Sequence, residues 1–386
     1  MAQSLKYQWI VTVLLQIATE WYRCMRIHRR TMNYRNQWWP FVWSWRSYIV
    51  TWMKEFVAGR HQFSPMRQYQ FTGEVVRVWE YLDRLIMNLI FRIIRPTFKH
   101  IISPLCLHLT GPTAIKSITA QIKTALTTGR FNYCLRIDIR SYYASIDHQI
   151  LLKQLAEHFD DSRLCHYLEN IVTIGVDCNG AVFLPEKGIP LCSTLSPFFG
   201  ALYLSKLDRV FEVQPGIFYR RYMDDIIILV ENKRQYIKAR RRLFKILQEL
   251  KLQVSPHKTR MGALKNGFHF LGVDFEVART SQIKTQVATV NVHSRTCRRA
   301  LDKVQALCKD AVHPAQIQCY LSRWATWWKS VIKLDQFALI YRWVSFTKAF
   351  KPDSVWFGRG LLLLSPYYCL CQSLSNISNQ NQLTVL

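Results

Sequence analysis

The sequence predicts an α+β fold, and three local patterns carry the prediction. Around Tyr222-Met223-Asp224-Asp225, two apolar runs flank an acidic centre: Phe218-Tyr219-Arg220-Arg221 before it and Ile226-Ile227-Ile228-Leu229-Val230 after it. Both runs are rich in β-branched and aromatic residues and read as strands. The four residues between them read as a tight hairpin tip bearing two adjacent carboxylates. Second, Leu135-Arg136-Ile137-Asp138-Ile139 alternates apolar and polar, the pattern of a half-buried strand. Third, apolar periodicity predicts helices from Asp83 to about Ile94 and, in a basic amphipathic form, near Arg295–Ala311 and Pro314–Lys333.

The acids carry the chemistry. Two carboxylates at one strand turn repel one another and cost stability unless a cation lies between them. That cost argues for a metal, and Mg²⁺ is the ion that carboxylates and substrate phosphates hold together. An Asp-Asp surface turn is the plain alternative, and the tetrapeptide alone does not separate the two. Asp138 does. It is expected to point away from the side that Leu135, Ile137 and Ile139 bury, and Asp is unfavourable in a strand, so a purely structural role is the weaker explanation. Beside Asp224 it would complete a clamp for two ions, Mg²⁺ or Mn²⁺, in an in-line phosphoryl transfer.

These residues resemble a known family. Arg136-Ile137-Asp138-Ile139-Arg140-Ser141-Tyr142-Tyr143, then Gly188-Ile189-Pro190 through Ser196-Pro197, then Arg221-Tyr222-Met223-Asp224-Asp225, His257-Lys258-Thr259 and Phe268-His269-Phe270-Leu271-Gly272 follow the block order of reverse transcriptases, most of all the bacterial branch that includes group II intron enzymes. The resemblance implies a right-hand polymerase with fingers, an antiparallel palm and a helical thumb, acting as an RNA-directed DNA polymerase on deoxynucleoside triphosphates. It implies Asp138, Asp224 and Asp225 as metal ligands, Asp225 the weaker or supporting one. It implies Tyr143 as the ring that rejects a 2′-hydroxyl, Lys258 as a proton donor to pyrophosphate, Arg77 near the triphosphate, and Pro190 in the loop that supports template and nucleotide. Core packing for Tyr143 and a solvated charge for Arg77 and Lys258 are the structural alternatives. One departure is plain: Leu191-Cys192 stands where the family usually has Gln-Gly, which puts fidelity and template choice in question.

Bulk properties agree with a polyanionic partner. The 386 residues carry 52 basic and 25 acidic side chains, a net charge of +27. Aromatics make up 13%, with 13 Trp, which adds stacking surface for unpaired bases. The 11 cysteines lack a Cys-x-x-Cys spacing and read as reduced thiols of a cytoplasmic protein. The apolar run at 9–18 is too short to span a bilayer, and no cleavage site follows it.

In chain order, 1–60 reads as a helical extension in which Arg23, Arg26, Arg29 and Arg30 precede Trp38, Trp39, Trp43 and Trp45, with Trp inward as core or outward on RNA. Residues 61–275 read as fingers and palm, the palm from 135. Within them Gly73–Trp79 is a turn and strand, Asp147 a helix cap, Ser196 a cap with Pro197 in a first helical turn, and Phe198 to Leu207 the next helix. Residues 276–386 read as a helical thumb and RNA-binding region in which Trp324, Trp327 and Trp328 fall on helical spacing, and the last residues as a frayed polar tail.

The biological setting follows by elimination. No zinc-binding endonuclease, no retron signature and no Ser-Gln signature of diversity-generating enzymes is visible. A stand-alone, defence-associated enzyme copying a dedicated structured non-coding RNA into cDNA remains. A template-independent deoxynucleotide polymerase and an RNA chaperone or splicing cofactor with a vestigial site are the alternatives.

Overall fold

Strands form where apolar and β-branched residues run, and the computed structural model places eleven of them among the residues it describes: 51, 54–71, 74–190, 193–279, 286–309 and 313–332. Most of the predicted N-terminal extension, the Leu191-Cys192 departure and the chain from 333 lie outside these residues. The strands are β1 (Met66–Phe71), β2 (Glu74–Val78), β3 (Tyr133–Ile137), β4 (Val176–Cys178), β5 (Ala181–Phe183), β6 (Ile217–Tyr222), β7 (Asp225–Val230), β8 (Arg260–Ala263), β9 (Phe268–Phe270), β10 (Val273–Arg279) and β11 (Gln286–Val292). The α-helices are α1 (Tyr81–Ile94), α2 (Phe98–Ile101), α3 (Ala114–Thr127), α4 (Tyr142–Ser145), α5 (His148–Ala156), α6 (Ser162–Val172), α7 (Ser196–Tyr203), α8 (Ser205–Glu212), α9 (Lys233–Glu249), α10 (Ser294–Lys309) and α11 (Pro314–Ile332). The α+β class is as predicted.

Three sheets result, with strand orders β2-β1-β4-β5, β6-β7-β3-β8 and β11-β10-β9. The pairings are antiparallel between β1 and β2, β4 and β5, β3 and β8, and along β9-β10-β11; β1 and β4 pair in parallel. In β7, Ile226 through Val230 are all fully buried, as an uninterrupted apolar run requires of a strand covered on both faces.

The described chain divides into two compact units. The first takes in the residues up to Leu109, Ile137–Ile228 and Arg234–Thr259; the second Thr110–Arg136, Leu229–Lys233 and the chain from Arg260. In the first unit, Phe98 stacks on Phe198 with ring centroids 4.3 Å apart, joining α2 to α7. Asp83, in the first turn of α1, is buried and accepts from Ser64 N–H and bonds His61 Nε2, each at 3.0 Å, so it ties the preceding segment to the helix. In the second unit, α3 lays its apolar face, Ile118, Ile122 and Leu126, toward the core and packs on α11 and β11.

Several boundaries differ from expectation for physical reasons. The helix expected from Phe198 to Leu207 is two, broken at Leu204 between α7 and α8. Ser196 is not the cap: α7 has Leu195 there with no side-chain cap bond, and the Ser196 hydroxyl donates to the Pro190 carbonyl instead. Asp147 does cap α5, accepting from Ile150 N–H at 3.1 Å. Trp328 is buried while Trp327 is 39% exposed, so the tryptophans of α11 divide between core and surface. Gly272, at φ +78°, has the space of its missing Cβ filled by Thr296 Oγ1 at 3.0 Å and the Trp328 ring at 3.1 Å. No described helix is long and apolar enough to cross a membrane.

Candidate active site

The acidic hairpin is tighter than the sequence suggests. Strand β6 runs through Tyr222 and β7 starts at Asp225, so only Met223 and Asp224 form the turn. Met223 has φ +55°, in the left-handed region that glycine occupies freely and methionine does not. Such a residue costs about 1–3 kcal/mol and persists only where its surroundings over-determine it.

Here they do. The Met223 N–H donates to His108 Nδ1 at 3.2 Å, and Arg221 Nη1 donates to the Met223 carbonyl at 2.9 Å. Alternation along β6 turns Tyr219 and Arg221 to one side, both buried. Arg221 is 0% exposed and is held by Asp208 of α8, also 0% exposed, through Nε to Oδ1 at 2.8 Å and Nη2 to Oδ2. Arg221 Nη2 also donates to the Ala201 carbonyl at 3.0 Å, and Tyr219 Oη to Asp208 Oδ1 at 2.6 Å. Burial works against the Arg221 charge, but the Asp208 carboxylate outweighs it and keeps the guanidinium protonated.

His108 is the counterpart on the other side of the turn. Its Nε2 lies 3.0 Å from the Pro197 carbonyl, so that nitrogen carries the proton and Nδ1 is left as acceptor. The buried Cys106 thiol, pushed up to about 12 by desolvation, stays protonated and lies 3.4 Å from the same Nδ1. Burial pulls His108 down to about 4, which keeps the ring neutral at pH 7.

Asp138 arrives from a different part of the fold. Strand β3 ends at Ile137, one residue short of Asp138, and Arg136 is buried, so the segment is covered on both sides rather than half-buried as predicted. Beyond β3 the chain runs beside 253–255: Arg140 N–H donates to the Gln253 carbonyl and Ser255 N–H to the Asp138 carbonyl, each at 2.8 Å. Asp138 N–H also donates to Thr259 Oγ1 at 3.4 Å. The same turn brings Lys258 Nζ to 3.7 Å from Asp138 Oδ2, with side chains 64% and 15% exposed.

Asp224 senses the charge of Asp138. Burial raises Asp224 above the ordinary carboxylate range, and the negative charge of Asp138 adds to the rise; its own N–H, Lys258 and Arg221 act the other way. Tyr143 stands on the same side: burial first and the Asp224 charge second push its phenol up to about 12. Its backbone is set by Ser141, at φ +45°, and by Ile189 N–H donating to the Tyr143 carbonyl at 2.8 Å. Its ring lies against Gly200 of α7, where an added Cβ would stand 3.3 Å from Cε1. Gly188, at φ +91°, lets the loop bearing the buried Pro190 press on Ala144. Arg77 is placed elsewhere, on β2, with Nε donating to Gln68 Oε1 at 3.3 Å and its guanidinium over Phe183.

The donor set fits a hard cation. Asp138 and Asp224 offer only oxygen, and a cation shared between them would reverse the repulsion that raises Asp224. Mg²⁺ needs only one or two protein carboxylates beside substrate phosphates. Among the described residues no three His, Cys, Asp or Glu side chains gather as a metal-holding group; Asp225 is part-buried at the start of β7.

The sequence reading missed His108, Asp208 and the burial of Arg221. A signal existed for the last two. Arg221 shares a strand face with Tyr219, and Asp208 lies on the buried face of α8 with Leu207 and Phe211. Two opposite charges on buried faces predict each other. Nothing local marks His108.

The site thus sets an acid on a strand-turn-strand hairpin near an acid just past β3, beside a packed tyrosine. Residues 76–275 match the family described as reverse transcriptase (RNA-dependent DNA polymerase), and the chain belongs to that family. A curated relative is Protein YkfC of Escherichia coli (strain K12), 22% identical over 193 residues that cover 41% of this chain and 50% of that protein. Similar solved structures include telomerase from Candida albicans with a fragment of telomeric RNA: TM-score 0.47, 14% identity, 66% of this chain and 50% of that one. Another is apo telomerase from Candida tropicalis: TM-score 0.43, 13% identity, 60% and 52%. The chain spans about half the length of the relatives it matches.

Proposed function

We propose that the protein is an RNA-directed DNA polymerase that extends a primer with deoxynucleotides by nucleotidyl transfer. One observation carries the reading: Asp224, on the turn between β6 and β7, feels the charge of Asp138, just past β3, and the Tyr143 phenol in turn feels that of Asp224. Asp138 and Asp224 would hold two Mg²⁺ ions, with Asp225 as supporting charge, and such ions supply charge stabilisation to the attacking and leaving oxygens. The primer 3′-oxygen bonds to the α-phosphorus and the bond to pyrophosphate breaks. Lys258, near Asp138, is suited to give a proton to the departing pyrophosphate. Tyr143 would exclude a 2′-hydroxyl sterically. Arg77 on β2 and the Pro190 loop would meet triphosphate and template.

In this reading β1 and β2 belong to the fingers, β3 to β9 to the palm, and α10 and α11 to the thumb. The partner is a structured non-coding RNA that also serves as template. The net charge of +27 supports a polyanionic partner, and the scattered cysteines without a Cys-x-x-Cys spacing support a cytoplasmic setting, for which we propose antiphage defence. Template-independent synthesis is the second reading, favoured by Leu191-Cys192 in place of Gln-Gly.

The test is incorporation of labelled deoxynucleotide on a defined RNA template with the product sequenced. Asp138→Asn, and Asp224→Asn with Asp225→Asn, should abolish synthesis while the fold survives. Normal incorporation by these variants overturns the site; product unrelated to the template favours the second reading.

A further inference from the structure

The Met223-Asp224 turn is gripped from two sides, by His108 and by Arg221. We infer that His108 and the Arg221–Asp208 pair are positioning residues that hold the Met223 peptide and thereby aim the Asp224 carboxylate; this rests on the polymerase reading above.

The grip uses both polar atoms of one peptide residue. His108 Nδ1 takes the Met223 N–H and Arg221 Nη1 holds the Met223 carbonyl. With both atoms tied, the backbone on either side of Met223 cannot rotate without breaking a part-buried hydrogen bond, and the direction of the next Cα–Cβ bond, that of Asp224, is set. A methionine at φ +55° would otherwise relax toward an extended or helical conformation.

The far ends of the two arms meet on one helix. His108 Nε2 is anchored on the Pro197 carbonyl and Arg221 Nη2 on the Ala201 carbonyl, both in α7. Between those two residues lies Gly200, whose carbonyl accepts from Tyr142 Oη at 2.6 Å and whose bare Cα receives the Tyr143 ring. One stretch of α7 thus braces both the aspartate hairpin and the tyrosine that reads the sugar. The spacing between metal ligand and sugar gate is set by protein groups before any nucleotide binds.

An ordinary buried ion pair would stabilise the fold and leave the chemistry alone. The two roles separate in the rate constants. A loosened turn misplaces Asp224, a group that acts in the transition state, so kcat should fall while the deoxynucleotide KM holds. A misplacement on the order of 1 Å costs about 10²-fold.

The test uses the full-length protein on an oligo(dT)-primed poly(rA) template with Mg²⁺. In His108→Gln the side-chain amide stands near the old Nε2 and keeps the Pro197 tie but loses the acceptor for Met223; in His108→Asn the amide oxygen stands near the old Nδ1 and keeps that acceptor. His108→Gln should lose about 10–100-fold in kcat with dTTP KM within about twofold, and His108→Asn should recover most of it. A second readout needs no activity: in metal-free protein, hydrogen exchange of the peptide spanning residues 218–230 should quicken in His108→Gln and not in His108→Asn. Should His108→Gln not fold, Arg221→Lys, which keeps the charge beside Asp208 and loses the reach to Met223, is read the same way. Equal kcat in His108→Gln and the parent, equal losses in the Asn and Gln variants, or a loss confined to KM would each overturn the inference. An inactive parent protein with the expected exchange pattern would instead overturn the polymerase reading and leave the grip standing.

Discussion

Arg221 and Asp208 form an ion pair from which water is fully excluded, and the same guanidinium reaches the carbonyl of Met223 at 2.9 Å. A buried pair is costly to assemble, and breaking it leaves one charge stranded. The position of the acidic turn is therefore coupled to the integrity of the core beneath it.

That coupling predicts a large stability loss. Arg221→Met or Asp208→Asn alone should destabilise the protein by about 3–5 kcal/mol, because the remaining partner stays buried without its counter-charge. Urea unfolding of each single variant checks it. A loss below about 1 kcal/mol, the value of an exposed pair, would contradict the burial of the pair.

Sugar selectivity should depend on the contact between Tyr143 and Gly200. Tyr143→Ala should admit ribonucleotides, read as the ratio of ribo- to deoxynucleotide incorporation. Gly200→Ala adds a Cβ 3.2 Å from Tyr142 Cε1 and 3.3 Å from Tyr143 Cε1, which must push the rings aside. It should cost about 1–3 kcal/mol of stability and shift the same ratio.

Two neutral histidines make the fold acid-sensitive. Burial pulls both His108 and His269 down to about 4. Around His269 stand Arg136, the stacked His293 ring at 4.8 Å, Asp274 and Arg295. An unfolded histidine takes up its proton near pH 6.5, so between about 6.5 and 4 the unfolded chain binds more protons. Stability should fall as pH drops through that window. His269→Gln should flatten the fall in urea midpoints measured from pH 7 to pH 4.5; an unchanged slope would contradict the assignment.

Asp147 is shifted in the same direction and has a lower window. Burial would raise its carboxyl, but Lys251 Nζ at 2.6 Å and the N–H groups of α5 outweigh burial and lower it. Its contribution is present above the ordinary carboxylate pKa and lost as pH falls through the folded value. Asp147→Ala should cost about 1 kcal/mol at pH 7, chiefly from the cap since Lys251 is mostly exposed. The difference from the parent should shrink at the acid end of the titration.

The sequence made some of this legible because the relevant signals are local. Period-two alternation and β-branched runs placed β6 and β7, and the pair of acids between them marked the turn. Asp147 was read as a cap from its position before an apolar helix. Other readings failed where tertiary contacts competed. Ser196 looked like a cap, but its hydroxyl found the Pro190 carbonyl. Arg136 looked like the solvent side of a strand and is buried.

By itself, the order of residues determined the chemical inventory: two acids on a turn, a third at the end of another strand, and the block order that marks the family. Only the tertiary structure decided that Asp224 senses the charge of Asp138, that His108 is neutral and points Nδ1 at Met223, and that Arg221 has Asp208 for a partner. The reason is physical. Periodicity specifies which face a side chain takes, whereas desolvation, charge pairing and tautomer depend on what the folded chain brings to that face.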